Sequence, residues 1–188
     1  MKKDRLEMFS DGVIAIIITL MVLEIKLPAF TSDNVHDVIR HVGVYALSFI
    51  VIGILWLNHN AMFEQLEKVN ASIVWLNFLL LFFMSLIPLP TEALGLDFFS
   101  SQSHVFYGVV MTLNAAAYST LQLVVNKNLT HIPEKNRRDV NKLNWICTAL
   151  YAISIPLSLI SIYIPTGIFI LIPAIYFIPS KKLSPNRL

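Results

Sequence analysis

Six apolar runs take up most of this chain: roughly Arg5–Ile25, Val38–Leu57, Ile73–Leu89, Val105–Val125, Trp145–Ile162 and Ile164–Ile178. A helix needs about 20 mostly apolar residues to cross a bilayer, and in lipid its backbone must satisfy its own hydrogen bonds. Runs of this length, joined by loops mostly under about 20 residues, leave little choice but a bundle of membrane-spanning helices. The last run is the shortest and is broken by Pro173. A soluble bundle would carry a charged stripe along each helix, yet 73–89 and 146–162 contain no charged residue. With 56% hydrophobic and only 14% charged residues, the chain lies far outside the soluble average. No room remains for a soluble catalytic domain, so residues 1–188 read as one all-α integral membrane unit of six transmembrane helices.

Charge distribution sets the orientation. Twelve of the fourteen Lys and Arg residues fall in the N-terminal tail with Arg5, in segments 58–72 and 126–144, and in 179–188. Only Lys26 and Arg40 fall on the other side. The positive-inside rule then puts both termini in the cytoplasm of a multi-pass cell-membrane protein. The net charge of +2 therefore needs no nucleic-acid partner, and the most basic loop, 126–144, suits contact with lipid headgroups. Lys2-Lys3 before an apolar run mimics a signal peptide, but Ser10 and Asp11 interrupt it and no Ala-x-Ala site follows. One cysteine, Cys147, excludes an intrachain disulfide and reads as a packing residue.

Charges at the head of a membrane helix are costly and usually mark an internal network or an ion path. Here Arg5 and Asp11 stand six residues apart at the first turns of the first run, in Arg5-x-x-x-Phe9-Ser10-Asp11. This pattern resembles the start of the transmembrane protein 175 family of potassium channels, and the similarity continues to about Ile25. A second matching patch is Leu55-Trp56-Leu57-Asn58-His59.

At about 100° per residue, Ile16, Leu20 and Leu23 fall within about 60° of one another, with Thr19 at the edge. Any membrane helix of Ile and Leu has such a line by chance, so periodicity alone favours ordinary packing. The resemblance implies more: the first helix lines a pore, Ile16, Leu20 and Leu23 narrow it, and Thr19 contributes to potassium preference. One such helix per chain cannot enclose a channel, so the resemblance implies a homotetramer with potassium and other monovalent cations as permeant ions. No cofactor is expected. Ser10 and Asp11 lie more than about 100° from Ile16, which suggests a hydrogen-bonded anchor of Arg5, Ser10, Asp11 and His59, with Phe9, Trp56 and Asn58 beside it. Glu24 reads equally as an acidic pore mouth or as a solvated helix end.

Rival classes are less well supported. No Thr-Val-Gly-Tyr-Gly filter occurs, so selection by carbonyl rings has no sequence basis. The five histidines are scattered, and no His-Glu-x-x-His, Gly-x-Ser-x-Gly or phosphate-binding glycine loop is present, which argues against an enzyme. The alternative is a secondary transporter, for which Pro156 and Pro173 in the last two runs would be the broken helices.

Overall fold

The computed structural model describes residues 2–23, 34–129 and 133–177. Among these are seven α-helices: α1 Lys3–Leu23, α2 Val35–Glu64, α3 Ala71–Ser85, α4 Pro88–Leu96, α5 Ser101–Asn128, α6 Glu134–Leu157 and α7 Tyr163–Phe177. The all-helical class matches the sequence reading, but several boundaries move. Four segments are long and apolar enough to cross a membrane: α1, α2, the continuous stretch Ala71–Leu96, and α5.

The third expected run is longer than its apolar core suggested and is interrupted. Asn70 starts α3 by accepting a hydrogen bond from the Ile73 N–H at 2.9 Å, which satisfies one of the orphan donors of a first turn. The break at Leu86 and Ile87 follows from Pro88 and Pro90, which lack N–H groups and crowd the preceding carbonyls. The chain tightens there into short bonds from Leu86 N to Phe83 O and from Ile87 N to Met84 O. It then resumes as α4, extending the span by two further turns.

The second run was expected to end at Leu57, with a loop over 58–72; α2 continues to Glu64. Thirty residues make a helix about 45 Å long, well over the roughly 30 Å of a hydrocarbon core. Asn58 and His59 therefore sit inside the helix and not at its end. The loop expected over 126–144 is likewise partly helical, because α6 begins at Glu134. Its basic first turns carry an exposed Arg138–Glu134 pair at 2.6 Å, and its apolar part ends at Leu157, five residues short of the expected limit.

α5 is the most enclosed span and packs chiefly on α6 and α3. Gly108 allows the α5–α6 approach: a Cβ there would lie 2.9 Å from Ser154 Oγ. Polar side chains tie α5 to its neighbours through Ser119–Thr148 at 3.0 Å, Tyr107–Ser48 at 3.1 Å and His104–Thr166 at 3.0 Å. Asn114 donates to the Phe83 carbonyl of α3 at 2.9 Å. Lipid offers helices no hydrophobic reason to associate, so such bonds and close packing do that work.

Candidate functional site

α1 has two unlike faces. Leu6, Ser10, Ile14, Ile17 and Met21 are buried at the three- and four-residue spacing of one helix side, against α2 and α3. The opposite side is uncovered: Ile16 is 57% exposed, Leu20 47% and Leu23 75%, and Thr19 is exposed between them. The Thr19 hydroxyl donates its proton back to the Ile16 carbonyl at 2.9 Å. What Thr19 presents outward is therefore an oxygen with free lone pairs. All four expected pore residues share this one uncovered stripe. Glu24 lies outside the described residues.

Three contacts pin the buried side of α1, and they run antiparallel along α2. Lys3 Nζ reaches the Glu64 carbonyl at 3.3 Å while pairing with Glu7 at 3.6 Å. Deeper in, Asn77 of α3 bridges the two helices: its Nδ2 donates to Ser10 Oγ at 2.9 Å and its Oδ1 lies 2.7 Å from His59 Nε2. Since Oδ1 can only accept, His59 Nε2 carries the proton and donates it. Ser10 passes its own proton to the Leu6 carbonyl at 2.8 Å. Ser10, His59 and Asn77 are all fully enclosed, and the His59 ring stacks on Phe63. Beyond this bridge, Trp56 Nε1 donates to Asp11 Oδ1 at 2.9 Å.

The expected anchor is thus corrected in membership. Arg5 belongs to the uncovered side and is exposed, and no hydrogen bond or ion pair to it occurs among the described residues. The reason is helical: six residues turn through about 600°, so Arg5 and Asp11 point about 120° apart. Arg5 instead falls about 20° from Ile16, on the line of the stripe. Asp11 takes the indole N–H of Trp56 as its partner. Phe9 is half uncovered and meets Phe78 edge-on at 5.4 Å. Asn58 is half-buried on α2, facing a cleft away from α1. Asn77, which is outside the expected anchor, is the centre of the bridge. Its signal was an amide in the middle of a charge-free apolar run.

A hydrogen bond to a charged acceptor contributes about 1.5–3 kcal/mol when buried, and less when solvent reaches it. Trp56→Phe should therefore lower the stability of the purified protein by about 1–2 kcal/mol. Asp11→Ala, which removes the acceptor, should behave similarly, and the double variant should cost less than the two single costs combined. Strict additivity in thermal unfolding would show that Trp56 and Asp11 do not act on each other.

Residues 5–88 match the family described as the endosomal/lysosomal potassium channel TMEM175. A potassium channel of Chryseobacterium sp. (strain P1-3) is 37% identical over 193 residues, covering 99% of this chain and 98% of its own. The endosomal/lysosomal proton channel TMEM175 of Mus musculus is 32% identical over 110 residues, which are 49% of this chain and 21% of the mouse protein. The crystal structure of a lysosomal potassium-selective channel TMEM175 homologue from Chamaesiphon minutus superposes with a TM-score of 0.78. It covers 93% of this chain and 95% of its own at 24% identity, and so speaks to the fold.

Proposed function

The chain belongs to the TMEM175 family, and from that membership we propose that it is a potassium-permeable cation channel of the cell membrane, built from four copies around the first helix. The observation that carries this reading is the division of α1: one side sealed against α2 and α3, the other an uncovered line of Ile16, Thr19, Leu20 and Leu23. Four such lines facing one axis would make stacked rings of apolar side chains with one ring of hydroxyl oxygens. Apolar rings gate by dewetting and strip part of an ion's water when they widen. Selection then rests on the constriction and the Thr19 oxygens, without a filter of backbone carbonyls. The polar bridge holds the rings at a fixed height and conducts nothing.

In this arrangement residues 1–188 form a single unit of six spans, α3 and α4 together making the third. Both termini are cytoplasmic, as the Lys and Arg distribution requires. Trp75 and Trp145 are exposed and stand near the cytoplasmic ends of α3 and of the apolar part of α6, as an interfacial belt would place them. The relative that matches over the whole chain is named a potassium channel, whereas the one named a proton channel matches half of it. Potassium is accordingly the expected permeant ion.

The test is a bilayer recording with potassium on one side and sodium on the other. Discrete current steps and a reversal potential displaced toward potassium are expected. Saturable exchange without unitary steps would instead favour a transporter hinged at Pro156 and Pro173. In the same recording, Thr19→Ala removes four oxygens from the path. It should lower the potassium-to-sodium permeability ratio about threefold, equivalent to ~0.65 kcal/mol of discrimination. An unmoved reversal potential would place Thr19 away from the ions.

A further inference from the structure

On the far side of α2 from α1, a cleft of about 50 Å³ lies between α2, α5, α6 and α7. No residue of α1 lines it. Its walls are mostly apolar, with Val51, Leu55 and Ile172 among them, but three amides, Asn58, Asn114 and Asn144, and the hydroxyl side chains of Ser119, Tyr118, Tyr151 and Tyr176 also belong to its lining. Asn114 is 2% exposed and Asn144 3% exposed. Each has one half of its amide committed. Asn114 Nδ2 donates to the Phe83 and Val110 carbonyls at 2.9 Å each, and Asn144 Oδ1 accepts from the Tyr176 hydroxyl at 2.7 Å. These bonds fix which way each amide points. The remaining atoms, Asn114 Oδ1 and Asn144 Nδ2, are buried without a partner among the described residues.

Two lining residues, one on α5 and one on α6, therefore carry an unpaired acceptor and an unpaired donor beside a mostly apolar cleft. A buried polar group without a partner in the membrane costs several kcal/mol, and a hydroxyl answers both needs at once, since it donates one bond and accepts others. The cleft is partly open to the molecular surface, so an apolar chain attached to that hydroxyl has a way out.

We propose that this cleft is a binding site for a hydroxyl-bearing amphiphile, an alcohol whose O–H inserts between Asn114 and Asn144 and whose chain lies along α2 and α7. The site is independent of the pore and stands whether or not the chain conducts potassium. Cys147, the single cysteine, is 3% exposed and lines the same cleft, so it reports occupancy directly.

The experiment follows alkylation of Cys147 by N-ethylmaleimide in the purified full-length protein, by mass spectrometry, as 1-hexanol is raised. Wild-type alkylation should slow at least fivefold, in a saturating manner. Asn144→Leu removes the donor, and Ala115→Leu fills the cleft without touching either amide. Both should abolish the protection while keeping a native elution profile and helical circular dichroism. If Asn144→Leu fails to fold, Ala115→Leu carries the test alone. Protection that rises linearly with alcohol and is the same in the variants would be a bulk solvent effect and would overturn the site. Unprotected wild-type labelling would mean that the cleft holds water only. Wild-type labelling too slow to detect would mean that it admits no organic molecule. Either result also overturns the proposal.

Discussion

Replacing Asn77 with leucine is expected to destabilise the protein by about 2–4 kcal/mol, more than any other single change in the bridge. The amide makes two interhelical bonds from a fully enclosed position, one to Ser10 and one to His59. Leucine is of similar size, so the loss is polar and not a cavity. Ser10 keeps its bond to the Leu6 carbonyl, but the His59 Nε2–H is stranded where no water reaches it. Removing both partners costs less than stranding one. His59→Phe in the Asn77→Leu background should therefore recover part of the lost thermal stability. If the double variant is worse than Asn77→Leu alone, His59 is held by something other than the Asn77 amide. If the bridge sets the height of α1 in an oligomeric pore, Asn77→Leu should also lower the yield of assembled oligomer, while leaving the permeability ratio of surviving channels close to wild type.

The second large effect is expected at Ile16. If its uncovered side chain rings an apolar constriction, Ile16→Asn lets water persist where it would otherwise withdraw. Potassium current per channel should rise roughly tenfold, the change that about 1.4 kcal/mol off a barrier produces. Discrimination against sodium should fall, since ions pass with more of their water. The substitution places an amide on a face that is already 57% exposed in the subunit, so folding of the single chain should be unaffected. Unchanged unitary conductance in a well-assembled oligomer would move Ile16 out of the permeation path. The same result at Leu20 and Leu23 would place the whole stripe against lipid or another helix.

The two predictions separate the anchor from the line it supports, and Arg5 shows why the separation matters. Its place in a signature with Ser10 and Asp11 suggested one network, but on a single continuous helix Arg5 shares its direction with Ile16 and not with Asp11. That much was available from residue spacing. What spacing could not supply was the identity of the partner that Asp11 takes, because Trp56 is 45 residues away and reaches it only when α2 packs antiparallel on α1.

Membrane class, the rough position of the four long apolar segments and the composition of the α1 stripe were legible in the order of residues. Transfer of apolar side chains into lipid and the 3.6-residue turn are local properties that add along the chain. Helix limits were less legible. The apolar run in α2 stops at Leu57, but the helix continues to Glu64 because ending a hydrophobic run does not end a hydrogen-bond ladder. The break before Pro88 and the helical start of the basic segment at Glu134 depend on backbone donors and not on hydropathy. Tertiary structure alone decided the polar pairings. Asn77 stands out as the one amide of an apolar helix, but its partners do not show in the sequence, and Asn114 and Asn144 are each one of several amides in their helices. Packing joined Asn77 to Ser10 and His59 on both sides of its amide, and left Asn114 and Asn144, which line one cleft, each with one amide atom unpaired among the described residues. A hydrogen bond needs its two atoms within about 3 Å, and that distance is set by how the helices approach, not by their order in the chain.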